Sequence, residues 1–126
     1  MIYNREQLIG QWFRQVAVEN GNQLIEYASF YNDGSFEFCF VTQDSAGNII
    51  EQISELGDWG LVGDIHFTIT KNELLDEKLY AAELEHPDNY QAYKVCQLSV
   101  DSFSYQHILS NETFILKRVI DNIGHC

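Results

Sequence analysis

Apolar and polar residues alternate with a period of two along most of this chain, and clusters of Gly, Asn, Asp and Ser interrupt the alternation. A period of two marks pleated strands, whose side chains point alternately to opposite faces. The first run spans residues 12–19 and stops at Asn20-Gly21-Asn22, and a second spans 24–31. Asn32-Asp33-Gly34-Ser35 follows, and Asp-Gly between apolar runs predicts a tight hairpin with positive φ at both central residues. Residues 36–41 make a third strand, and Asp44-Ser45-Ala46-Gly47-Asn48 turns the chain into a fourth at 49–56. Gly57-Asp58-Trp59-Gly60 reads as a bulge or corner. Beyond a turn at Val62-Gly63-Asp64 lies a strand at 65–70, and the alternation returns at 90–98, 103–109 and 113–120.

Between residues 71 and 89 the period changes. Leu74, Leu75, Leu79, Ala82 and Leu84 recur at helical spacing, which predicts a short amphipathic helix over 73–85, ended by His86-Pro87-Asp88-Asn89. Such a helix would pack as a lid on one end of the strand assembly or present its apolar stripe to a partner.

About eight antiparallel strands with short turns have two economical arrangements, a sandwich or an up-and-down barrel, because each must deal with exposed sheet edges. A set of ordered motifs bears on the choice. Gly10-x-Trp12 opens the first strand; Phe30-Tyr31-x-Asp33-Gly34-Ser35-Phe36 and Gly57-x-Trp59-x-x-x-Gly63-Asp64 follow. Then come Tyr93-Lys94-Val95, Leu98-Ser99-x-Asp101, and Phe114 with Arg118 on the last strand. In this order the chain resembles the small bacterial lipocalin-like (calycin-type) β-barrel domains of mostly unassigned function. The resemblance implies an all-β fold, an antiparallel up-and-down barrel of about eight strands. It also implies that Arg118 lies across the Trp12 indole beside Gly10 and closes one end, a contact with a cation–π rationale. With the 71–89 insertion as a helix on this barrel, residues 1–126 make a single domain, a size at which one hydrophobic core suffices. Fold alone does not assign a ligand.

Seven Lys and Arg stand against 19 Asp and Glu, a formal charge of −12. Such a charge repels nucleic-acid phosphate and anionic membrane surfaces, so neither is an expected partner. It suits either plain solubility or a basic protein partner. The N-terminal residues show no basic region followed by an apolar run, and no stretch approaches the roughly 20 apolar residues that span a bilayer. A soluble, cytoplasmic protein is therefore the expectation. Three cysteines do not make a disulfide framework; Cys39 and Cys96 sit in apolar runs and read as buried thiols, and Cys126 ends the chain.

Trp12 anchors an assignment of inward-facing residues. If it points inward, Arg14, Val16 and Val18 follow it, Arg118 travels with Phe114 and Leu116, and Phe103, Tyr105 and His107 form one face, as do Tyr93, Val95 and Gln97. An eight-stranded barrel is just wide enough to be filled by side chains or to hold one small ligand. The leading reading is non-enzymatic binding of a small hydrophobic or amphipathic ligand in the cavity. Arg14, Tyr93, Tyr105 and His107 would orient its anionic or carbonyl end. The alternative is a barrel filled by Phe36, Phe38, Phe40 and the tyrosines, serving as an acidic protein-binding module, an inhibitor or adaptor. His66, His86, His107 and His125 lack the paired spacing of a metal site. Glu55, Asp58 and Asp64 crowd around a turn and read as a solvated rim. No nucleophile elbow or phosphate loop is present, so no catalytic residue, metal ligand or cofactor is assigned.

Overall fold

The structure is a computed structural model that describes residues 3–75 and 77–119. Nine strands run in chain order: β1 (Gly10–Ala17), β2 (Gln23–Phe30), β3 (Ser35–Gln43), β4 (Ile49–Val62), β5 (Ile65–Leu75), β6 (Lys78–Ala81), β7 (Tyr90–Leu98), β8 (Ser102–His107) and β9 (Thr113–Arg118). Every pairing is antiparallel. Eight strands follow one another in the order β4-β3-β2-β1-β9-β8-β7-β5, and pairing of β4 with β5 closes the ring. Closure removes the free edges that an open sheet of this size would expose.

The helix expected over 73–85 is absent. β5 continues through Asn72, Glu73, Leu74 and Leu75 along β4, and β6 then folds back on β5, pairing Leu75 with Lys78 and Leu74 with Leu79. The reason lies in β4, which at 14 residues is far longer than an average strand. Its first half offers a row of backbone donors and acceptors that an extended partner satisfies and a helix does not. A 13-residue helix is marginal by itself, so pairing prevails over local propensity. Glu77 takes the positive φ of 65° that the two-residue reversal needs.

Other expectations change in detail. The 31–35 turn is present, closed by Tyr31 N–H to the Ser35 carbonyl at 3.0 Å and Gly34 N–H to that of Tyr31 at 3.1 Å. Of its residues only Gly34 has positive φ, so this is the longer hairpin loop that needs one glycine. The bulge expected at Gly57-Asp58-Trp59-Gly60 is present: β4 continues through Val62 past a register shift where Leu56 faces Asn72 but Gly57 faces Thr70, leaving Lys71 as the extra residue on β5. A Cβ on Gly57 would stand 1.9 Å from the Ile69 carbonyl oxygen, so the strands can approach here only at a glycine. A second shift between Val95 and Gln97 makes Cys96 the extra residue on β7. That bulge turns Gln97 out of the inner face and leaves Cys96 exposed and free. Cys39 is buried, as expected. Val18 lies beyond the end of β1 and is exposed, and Cys126 lies outside the described residues.

The core is concentrated at one end of the barrel. Leu8, Trp12, Phe30, Phe36, Trp59, Val95, Phe103 and Leu116 form a single buried cluster there. Partly buried Phe38, Tyr105 and Phe114 lie against it and continue toward the other end.

Candidate functional site

At the packed end, the turn before β1 and the end of β9 meet over the core. The Arg118 guanidinium lies 4.1 Å from the Trp12 ring centroid. Its Nη1 donates to the Ile9 carbonyl at 2.9 Å and its Nη2 to that of Gln7 at 2.8 Å, and Nε donates to that of Val100. Trp12 Nε1 donates to the Leu8 carbonyl at 3.0 Å, so the buried indole leaves no donor unmet. Gly10 has a φ of 129°, and a Cβ there would come within 2.5 Å of Arg118 Nη1. The glycine is thus what admits the arginine. Sequence reasoning missed a second pair on the same plan: Arg5 lies 4.8 Å from the centroid of Trp59, whose Nε1 donates to the Tyr31 carbonyl at 3.0 Å. Its signal was present in the tryptophan of Gly57-x-Trp59.

At the other end the inner positions leave a cavity of about 240 Å³. Phe38, Phe40, Phe114 and Leu116 form its apolar wall. Glu26, Glu55, Thr68, Thr70, Gln91, Tyr93 and Tyr105 supply polar groups, and Asp88 and Asn89 stand where the chain enters β7. The strand register explains the mixture. Stepping two residues along the inner face takes Trp12 to Arg14 on β1, Ala28 to Glu26 on β2 and Gly57 to Glu55 on β4.

The four residues expected to orient a ligand are distributed unevenly. Tyr93 and Tyr105 line the cavity, their rings 4.9 Å apart at their centroids. Burial pushes the Tyr93 phenol up to about 12 and raises that of Tyr105 further, so both are neutral hydroxyls. Arg14, on the same inner face as Trp12 but not in the cavity lining, has Nε donating to Glu26 Oε2 at 2.5 Å, Nη2 to Oε1 at 3.1 Å, and its guanidinium 4.7 Å from the Phe114 centroid. This two-pronged bond to Glu26 raises the arginine's pKa despite its partial burial. Its charge is spent inside the protein. His107 Nδ1 accepts the Leu109 and Ser110 amides, which places the proton on Nε2, facing Gln91 Oε1. The histidine therefore braces Gln91, a cavity residue, from outside the lining.

Glu55 and His66 are the groups that sequence reasoning placed wrongly or left aside. Glu55 is no part of a solvated rim: it projects inward opposite Phe38 and Glu73. Burial, then the charge of Glu73, raise its pKa, and a hydrogen bond from Thr70 works against both. Parity carried back from Trp59 through Gly57 would have pointed it inward. His66, 1% exposed, sits between the two halves. Its ring lies 5.0 Å from Phe30 and 5.8 Å from Phe103 on the packed side, and stacks at 5.8 Å on Tyr93 on the cavity side. Burial lowers its pKa to about 4 against a hydrogen bond to the Gly60 backbone, and its Nδ1 has no partner. The imidazole is neutral and acts as part of the aromatic packing. Among the described residues no cluster of three or more His, Cys, Asp or Glu could hold a metal ion, and no helix is long and apolar enough to cross a membrane.

No protein-family model matches the chain, and no curated protein matches it. Among solved structures, a lipocalin-like protein from Bacteroides uniformis is similar over 90% of this chain and 99% of that one, with a TM-score of 0.55 at 20% sequence identity. At that identity the likeness speaks to architecture. The chain has the fold of a lipocalin-like, closed antiparallel β-barrel.

Proposed function

We propose that this protein binds a small hydrophobic or amphipathic molecule in the open half of its barrel and performs no chemistry on it. The cavity carries this reading: apolar walls supply most of the affinity of such a site, and a few convergent polar groups set orientation. Tyr93 and Tyr105 are wall and hydroxyl donors at once, while Arg14 and His107 act at one remove by fixing Glu26 and Gln91. A cavity of 150 Å³ accommodates benzene, so 240 Å³ suits a molecule of about ten non-hydrogen atoms. The filled barrel required of an inhibitor or adaptor is met at the Trp12 end only, which favours the small-ligand reading.

Native mass spectrometry of the protein from its own host, followed by mild denaturation, tests the proposal. A stoichiometric small molecule released on unfolding is the expected result. A protein that carries nothing, and whose melting temperature is unmoved by a panel of aromatic and aliphatic acids, alcohols and amines, would overturn it.

A further inference from the structure

The small-ligand reading leaves the polarity of the ligand open, and the charges around the cavity decide it. The one cation near the wall, Arg14, is bonded through two nitrogens to Glu26 and turns its face to Phe114. Glu55 has no such partner. The chain's seven lysines and arginines all lie among the described residues; their ion pairs are Arg14 with Glu26 and Lys71 with Asp58, and none reaches Glu55. Among the described residues, the groups that act on Glu55 are neutral or negative. Thr70 on β5 bonds it, Glu73 faces it across the β4–β5 ladder, and Tyr93 on β7 feels its charge. Asp88 borders the cavity with its carboxylate in solvent, 3.6 Å from His86 Nδ1.

We infer that the cavity is a site for a small organic cation, a primary or secondary ammonium on an aromatic or short aliphatic body, with Glu55 as its counter-ion. This rests on the small-ligand reading and deepens it. A half-buried carboxylate without a cation is costly to keep ionised, and a ligand ammonium supplies the missing charge. The rings of Phe38, Phe40 and Tyr93 are suited to the rest, since aromatic faces attract cations as well as apolar groups. A ligand carboxylate would instead meet Glu55 with no lysine or arginine paired to offset it. The polarity is thus opposite to that expected when Arg14 is read from sequence alone.

Isothermal titration calorimetry with 2-phenylethylamine, 2-phenylethanol and phenylacetate, three molecules of nearly equal size, tests the inference. The amine is expected to bind at least about tenfold more tightly than the alcohol, as a charge-assisted bond implies, and phenylacetate most weakly. Glu55→Gln keeps the shape of the site, so it should abolish the amine's advantage over the alcohol. If the alcohol binds as well as the amine, if phenylacetate binds best, or if the variant retains the amine's advantage, the cation assignment is wrong and the small-ligand reading survives. If none of the three binds at millimolar concentration while the protein remains folded by circular dichroism, the cation assignment falls, and native mass spectrometry decides the small-ligand reading separately.

Discussion

The two ends of this barrel are made by the same eight strands, yet they are built on opposite terms. At the Trp12 end the inner side chains are chiefly apolar, and Trp12 and Phe103 are 0% exposed. At the Glu55 end the same inner faces, two residues further along β1, β2 and β4, carry Arg14, Glu26 and Glu55, and Thr68, Thr70 and Gln91 join the two glutamates around a cavity. The first arrangement yields stability, since buried area and satisfied donors both favour the folded state. The second gives up packing for chemistry, as recognition sites commonly do. A barrel can separate the two along its axis because its strands are continuous: the packed half holds the register on which the cavity depends.

The largest effect expected from breaking this division is that of Trp12→Ala. Loss of a wholly buried indole should destabilise by about 3–5 kcal/mol in denaturant unfolding, whereas Phe40→Ala, whose ring borders the cavity, should cost below about 2 kcal/mol. Equal costs would mean that the halves share the load.

The boundary between the halves should be visible in the pH dependence of stability. His66 has a folded pKa of about 4 against an ordinary 6.5. The unfolded chain therefore binds its proton first, so the contribution of His66 is complete above pH 6.5 and is lost as the pH falls toward 4. The loss is on the order of 3 kcal/mol. Glu55 acts in the opposite direction: its raised folded pKa makes stability fall as pH rises through that value. The comparison that isolates His66 is thus wild type against His66→Leu, measured from pH 7 down to 4. The variant should be the less acid-sensitive of the two, and parallel profiles would show the imidazole to be protonated within the fold.

A smaller effect sharpens the account of the packed end. Gly10→Ala forces a side chain into a positive-φ position and against Arg118 Nη1. It should cost about 1–3 kcal/mol. The cost should shrink in an Arg118→Met background, which removes the guanidinium that meets the new methyl. An undiminished cost would assign the strain to the backbone alone.

Which parts were legible in the sequence follows from how far each signal reaches along the chain. Alternation located the strands because a strand's two faces are set residue by residue, and 90–98 coincides with β7. Gly10, Trp12 and Arg118 could be grouped only through the resemblance, since the contact bridges more than 100 residues. Parity failed where a bulge intervened: Cys96 displaced Gln97, and nothing in the local sequence marks the extra residue. The helical spacing over 73–85 misled because propensity is local, while the fate of the segment was decided by the unpaired length of β4.

The sequence by itself therefore determined the all-β class, the turns at Gly34 and Gly63, and the apolar inner face around Trp12, all of which depend on neighbours a few residues apart. The tertiary structure decided the β5–β6 hairpin, the pairing of Arg14 with Glu26 and the inward placement of Glu55. Each of these depends on which residue faces which across a ladder. Ladder register is fixed by closure of the whole ring, which no single segment of the chain contains.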